Sequence, residues 1–420
     1  MRFLFLLTGV FILLVSCSQV PSFSVKNELN TTRNDEVIIL SRAFLENKIK
    51  FAEGTLPGFE KDGKVIPGQV DDLDKDGKWD EAAILANLAP YENSKIKIKI
   101  FESNNYPVFD KRTNLRLGIR QDDGSFKEVD NYKALPCSDG FEIIAQAESV
   151  NWENDKIAFR VYFDCRNVKD LFGKLKPELI IDKIQTPELP SYHELADWGM
   201  DVLHCGSSLG AGGLALLRND SLYRLGSTEV YEYVKITEGP VRSVFELRYS
   251  GWNVAGEKLS AVERISVYPG KYWFESDVTL NDCKTGDQIV TGIVTSKLKR
   301  EPFEMRSDSF QCIGTHDIQS LNDDELGMAV LIPAGEAGKV GRTSNINFFE
   351  LGEKTVVEKN FSQSISETYY IGQLFKTGVP AKHYFFSVWG HEKEQWKTED
   401  GFKKYIAEEA VKLSFPLEVK

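Results

Sequence analysis

Hydrophobic and polar positions alternate along most of this chain, and that alternation predicts strands. Residues 95–101, Lys-Ile-Lys-Ile-Lys-Ile-Phe, alternate without fault, giving one apolar and one solvated face. Residues 157–162 repeat the pattern, with Ile157, Phe159 and Val161 on one face and Ala158, Arg160 and Tyr162 on the other. Further strands are predicted at 36–40, 115–120, 241–249, 261–267, 272–280, 288–296, 327–332, 368–373 and 383–389. A Pro269-Gly270 turn leads into the strand at 272–280. A helical period occurs only near the end. Phe402, Tyr405, Ile406, Ala410 and Leu413 mark one helix face, with Thr398 as its N-cap. The expected fold class is all-β: a small N-terminal β domain over residues 36–110, then a large antiparallel β domain over 111–420 carrying a short C-terminal helix.

The first residues break this pattern. Arg2 is followed by an almost continuously apolar run over residues 3–15, too short to span a bilayer comfortably, which reads as a signal peptide. Leu14-Val15-Ser16-Cys17 resembles a bacterial lipobox. Residues 1–16 are therefore expected to be removed, Cys17 to be lipidated, and residues 17–35 to form a polar tether. Ser18 after the cysteine points to the outer membrane, and the lack of an acidic cluster there points to its periplasmic face. Membrane contact is expected through the lipid anchor alone. Five cysteines follow: Cys137, Cys165, Cys205, Cys283 and Cys312. None has C-x-x-C spacing, and an odd number in an exported chain leaves at least one thiol unpaired.

Composition adds limits. The 420 residues, 42% hydrophobic and 27% charged, are ordinary for a globular protein of two domains. A formal net charge of −12 argues against nucleic acid as a partner, and an acidic substrate would need a local basic pocket.

The densest local signal is Gln69-Val-Asp-Asp-Leu-Asp-Lys-Asp-Gly-Lys-Trp-Asp-Glu81. Asp72, Asp74, Asp76 and Asp80 follow the D-x-D-x-D-G-x-x-D spacing of a calcium loop, with Gly77 at the turn and the Lys78 carbonyl as a further ligand. The place of the EF-hand glutamate is Ala83, and the loop joins two strands, so it is not an EF-hand. A structural Ca2+ is expected because crowded carboxylates repel at close range. The competing expectation is a solvated acidic hairpin. No organic cofactor is expected. The glycines of the stretch from Gly206 to Gly213 lack the G-K-[ST] of a P-loop, and are read as places where the backbone passes close to another segment or a ligand.

Three stretches together resemble a known family: the Gln69–Glu81 motif, Trp152-Glu-Asn-Asp-Lys-Ile-Ala-Phe-Arg-Val-Tyr162, and Asp197-Trp-Gly-Met-Asp-Val-Leu203 with its glycine-rich tail. The likeness is to an uncharacterised family of exported lipoproteins from Gram-negative polysaccharide-utilisation loci. It runs from about Val37 to the C-terminus. The resemblance implies a galactose-mutarotase-like β-supersandwich for the large domain. It also implies acidic oligosaccharides of ulvan- or pectin-type polyuronates as the substrate class, but no catalytic residues.

Polyuronate chemistry suggests roles. β-Elimination needs a base for the C5 proton, an acid for the leaving C4 oxygen, and a cation on the carboxylate. His193 or His204 is the expected base and Tyr162 or Tyr192 the expected acid. Arg160 or Arg242 is expected on the carboxylate, since a planar guanidinium matches it bidentately. Asn154 is an added polar contact, and Trp198 and Trp389 are sugar-stacking surfaces. Structural roles compete: Arg160 paired with Glu153 or Asp155, and Tyr162 and the tryptophans as core residues. The expected activity is that of an oligosaccharide dehydratase or polyuronate lyase. A mutarotase-like epimerase and a non-catalytic glycan-binding lipoprotein are the alternatives.

Overall fold

The computed structural model describes residues 20–134, 144–162, 166–226, 228–346 and 364–420. The expected signal peptide, Cys17, Cys137 and Cys165 lie outside these residues.

The alternating segments do form strands, and they assemble into an antiparallel sandwich. One layer is a nine-stranded sheet. Its order is Asn131–Ala134, Val230–Glu238, Ser243–Val254, Glu257–Val267, Trp273–Asn281, Ala381–Trp389, Glu325–Pro333, Phe310–Ile318 and Phe303–Arg306. Two five-stranded sheets pack on it through a shared core. One runs Gly199–Asp201, Lys169–Lys174, Ile157–Tyr162, Ser149–Asn154, Thr113–Arg116. The other runs Ser221–Arg224, Ala211–Arg218, Gln288–Val294, Thr368–Gln373, Ala337–Arg342. They touch at a parallel bridge between Lys169 and Gly210. A Cβ on Gly210, at φ +64°, would lie 2.0 Å from the Lys169 carbonyl oxygen, so this junction requires glycine.

The apolar face of the 157–162 strand points inward as its alternation predicts. Phe159 packs between Trp152 (5.8 Å between ring centroids) and Phe274 (4.9 Å). The interior also holds charge. Lys169 Nζ donates to Glu263 Oε1 at 2.6 Å, and both side chains are about 2% exposed. Ser276 Oγ donates to the same oxygen at 2.7 Å and Lys169 also reaches the Gly212 carbonyl at 3.0 Å, so the pair is hydrogen-bonded as a buried ion pair must be.

The small unit differs from its expected limits. Its five-stranded sheet runs Glu418–Val419, Ser22–Lys26, Asn93–Glu102, Thr55–Lys61, Lys64–Val65. The expected tether therefore supplies a strand, and so does the far end of the chain. A three-stranded sheet of Arg33–Ser41, Glu81–Leu88 and Gly68–Asp71 completes the unit around Phe23, Val25, Ile38, Phe59, Ile84 and Ile96. Ser22-Phe-Ser-Val-Lys26 alternates, with Phe23 and Val25 inward, but five residues in a polar stretch are too few to separate it from a tether.

The terminal helix spans Glu399–Ser414, and the Thr398 side chain accepts from Gly401 N at 3.1 Å as its N-cap. It buries Phe402 and Ile406. Among the described residues, no helix is long and apolar enough to cross a membrane.

Candidate functional site

At one edge of the first five-stranded sheet, the polar face of Ile157–Tyr162 meets its neighbours. Strand register places Arg160 opposite Asp170, and Phe172 opposite Asp201. Arg160 Nη2 donates to Asp170 Oδ2 and Asp201 Oδ2, each at 2.6 Å, and its Nε reaches Asp170 Oδ2 at 2.9 Å. The same Nη2 donates to the Tyr162 hydroxyl at 2.6 Å, and that hydroxyl donates to Asp170 Oδ2 at 3.0 Å. The guanidinium is enclosed by rings, 4.5 Å from the Tyr162 centroid, 4.9 Å from Phe172 and 5.3 Å from Tyr192. Tyr192 and His193 arrive from the loop before Gly199–Asp201. Asp201 N donates to the Tyr192 carbonyl at 2.7 Å, which ties the loop to the strand. His193 Nδ1 then lies 3.7 Å from Asp201 Oδ2, with its side chain 66% exposed. Gly199, at φ +133°, makes this possible, because a Cβ there would fall 1.8 Å from the Gly173 carbonyl oxygen.

Two buried carboxylates share one buried cation, which leaves an excess negative charge. Burial first, then the charge of Asp170, pushes the Asp201 carboxyl up to about 7 against the pull of Arg160. Burial and then Asp170 hold the Tyr162 phenol well above its ordinary range. His193 is lowered from 6.5 by burial and by Arg160, so it is neutral near pH 7. Arg166 places its guanidinium 4.7 Å from the Tyr162 ring centroid and is only half-buried. The edge thus presents a neutral imidazole, a phenol and a cation around a carboxylate-braced interior.

The structure brings together Arg160, Tyr162, Tyr192 and His193, and corrects several expected roles. Arg160 is 1% exposed and paired with two aspartates, neither of them the expected Glu153 or Asp155, so it organises the site rather than meeting a substrate carboxylate. Arg242 is spent on Asp71, with Nη2–Oδ2 at 2.6 Å, and on Glu81. Asn154 is buried and braces the carbonyls of Tyr268 at 2.7 Å and Lys271 at 2.8 Å. Trp389 is a core residue packed against Gly173, its indole donating to Asp324 at 2.6 Å. Trp198 is buried against Phe172 and is no open stacking surface. His204 stands apart from the cluster, 3.2 Å from Ser296 Oγ through Nδ1.

Asp170, Asp201 and Arg166 were not singled out by sequence reasoning. The available signal was an aspartate next to Leu171-Phe172 in the strand Lys169–Lys174, and the second aspartate of Asp197-Trp-Gly-Met-Asp201.

The acidic motif divides in two. Its ends fasten the small unit to the sandwich. Gln69 Oε1 accepts from Val241 N and Arg242 N at 3.1 and 3.0 Å, and Thr237 donates to Asp71 at 2.6 Å. Its middle is the loop. Asp72, Asp74 and Asp80 each offer a carboxylate oxygen, all within 4.8 Å of one another, a donor set that fits a hard oxygen-seeking cation. Asp76 falls outside that set and accepts from Lys78 N at 2.8 Å.

An all-β sandwich with this motif-built edge defines the class of protein. The chain belongs to the family described as a domain of unknown function, DUF4861, whose model matches residues 25–419. It is 25% identical over 429 residues to an uncharacterised protein, P7, of Formosa agariphila, covering 96% of this chain and 95% of that protein. Among solved structures it is similar to an alpha-mannosidase from Enterococcus faecalis V583, with TM-score 0.48, 10% identity and 95% of this chain covered. A glycosyl hydrolase family 38 protein from Enterococcus faecalis gives 0.46, again at 10% identity and 95% coverage. The chain spans 45% and 47% of those two proteins, about half their length.

Proposed function

We propose that this protein is an exported lipoprotein that processes acidic oligosaccharides by β-elimination at a uronate, as a dehydratase of a terminal residue or as a lyase. The observation that carries this reading is the convergence of His193, Tyr162 and Arg166 on the Arg160–Asp170–Asp201 cluster. His193 Nδ1 faces Asp201 at 3.7 Å, and its Nε2 is the proposed base. His193 takes the C5 proton, the C5–H electrons form the C4–C5 double bond, and the C4–oxygen bond breaks. The leaving oxygen takes its proton from Tyr162, and Arg160 stabilises the phenolate left behind. Arg166 neutralises the uronate carboxylate. Burial of Trp198 and Trp389 supports a catalytic edge over a flat aromatic binding platform. The Asp72–Asp80 loop is proposed to hold a structural Ca2+, remote from this chemistry.

The test is incubation with saturated uronate-ended oligosaccharides, following ultraviolet absorbance of the enol-uronate together with mass. Loss of one water identifies a dehydratase and chain scission a lyase. No change in absorbance or mass on any uronate substrate overturns the elimination reading.

A further inference from the structure

The chain carries a formal net charge of −12, yet one face of the small unit is basic. The five-stranded sheet of that unit buries Phe23, Val25, Ile96 and Ile98 on one side and turns the alternate residues outward. Strand register sets those residues in rows. Lys420, Ser24 and Lys95 lie side by side on three adjacent strands. Glu418, Lys26 and Asn93 form the row on one side, and Ser22, Lys97 and Glu60 the row on the other. The lysines at 26, 95, 97, 99 and 420 therefore meet only the glutamates at 28, 60 and 418. Lys97 and Lys99 share the one Glu60 carboxylate, at 2.7 and 3.0 Å. Lys26 pairs with Glu28 at 2.9 Å and Lys420 with Glu418 at 2.5 Å. The lysine side chains of these pairs are each more than 40% exposed, so the pairs are weak and the excess of positive charge remains accessible.

The centre of the face is uncommitted. Lys95 makes no ion pair or hydrogen bond through its side chain with a described residue, and neither do the side chains of Ser22, Ser24 and Asn93. With Lys420 they line a shallow depression of about 300 Å³. An ammonium, two hydroxyls and an amide together offer the donors that phosphate oxygens accept.

The path of the chain indicates what this face meets. The Pro21 carbonyl accepts from Ile98 N at 2.8 Å, so the chain enters the unit along this sheet, and Val20 before it is exposed. Cys17 lies three residues earlier, and three residues span at most about 10 Å. Charges act over about the same distance, roughly 10 Å in 0.1 M salt. A lipid on Cys17 keeps a bilayer surface within range of these lysines.

We propose that this face docks on an anionic phospholipid surface. Lipid phosphates accept from Lys95, Lys420 and the hydroxyls of Ser22 and Ser24, and the remaining lysines add attraction. The anchor holds the chain at the membrane, and the face sets which side of the molecule turns toward it. The placement rests on the lipoprotein reading of Cys17; the charge and the open donors do not.

Vesicle cosedimentation tests this with the chain from Ser18 to Lys420, which contains every described strand and helix and lacks Cys17. At about 20 mM salt it should bind mixed phosphatidylglycerol–phosphatidylcholine vesicles at least tenfold better than phosphatidylcholine alone, and lose that preference at about 300 mM. Lys95→Glu combined with Lys420→Glu should abolish the preference. Both side chains are exposed, so the melting temperature should stay within a few degrees. Lys258→Glu combined with Lys339→Glu makes the same change in charge on strands of the sandwich and should retain the preference. Equal binding to the two vesicles overturns the proposal, as does a preference that survives the Lys95 and Lys420 changes or falls equally with the sandwich pair. The mass of the N-terminal peptide from the exported chain reports the anchor separately: a bare Cys17 refutes the lipoprotein reading, whereas a missing vesicle preference refutes the docking face.

Discussion

Arg242 Nη2 lies 2.6 Å from Asp71 Oδ2, joining the first buried aspartate of the acidic motif to a strand start in the sandwich. Both side chains are nearly sealed from water, and breaking a buried pair from one side costs roughly 3–5 kcal/mol. Arg242→Met is expected to lower stability by about that amount in denaturant unfolding, while kcat/KM of the folded fraction stays unchanged. Adding Asp71→Asn should cost less than the sum of the two single changes, because the stranded carboxylate is then removed.

His193→Ala is expected to reduce turnover on a uronate substrate by about 10²–10⁴-fold with little change in melting temperature, since the ring is exposed. In the wild-type protein, kcat/KM should fall on the acid side with a midpoint below 6.5, the direction in which His193 is shifted. An acid-side fall with a midpoint above 6.5, or none down to the pH of acid unfolding, would exclude His193 as the base.

Asp201 tests the shared cation. Its carboxyl is raised from 3.8 to about 7 in the folded protein, so between those values the native state binds the proton more tightly than the unfolded chain does. This group's contribution to stability is complete at low pH and declines as pH rises through that window. Asp201→Asn removes the decline. The variant's melting temperature relative to wild type should therefore be higher at pH 7.5 than at pH 4.5. Its turnover should drop at pH 7.5, where the wild-type carboxylate faces His193 at 3.7 Å, and Asp201→Glu should restore part of it.

Chelation bears on the acidic loop. If a cation is held by Asp72, Asp74 and Asp80, a chelator should lower the melting temperature by several degrees and added Ca2+ should restore it. Asp80→Asn should abolish the Ca2+ response. An unchanged melt with chelator identifies a self-sufficient hairpin, its carboxylates satisfied by the loop's own N–H groups, as Asp72 is by Gly77 N at 2.9 Å.

Local pattern and long-range pairing account for what could be read from sequence. Arg160 and Tyr162 share a face because strand alternation has a period of two, and that placement needs no partner strand. Asp170 became visible only with the register that sets it opposite Arg160. Arg242 was expected on a substrate because nothing near it in sequence discloses Asp71. Asn154 was expected as a polar contact in the site, yet it and its neighbours are scaffold. Glu153 holds Lys174 at 2.7 Å, and Asp155 holds Arg112 at 2.6 Å. Motif density flagged this region, but polar residues that brace a buried backbone are as dense as those that do chemistry.

The pairing of Val25 with Val419 has a consequence for biogenesis. The unit that begins the chain cannot close its own sheet until its final strand has been delivered. During synthesis the Ser22–Lys26 strand waits with an open edge while the whole sandwich follows it. Such an edge is a template for wrong partners, and Lys26 at the end of the Ser22–Lys26 strand places charge on it.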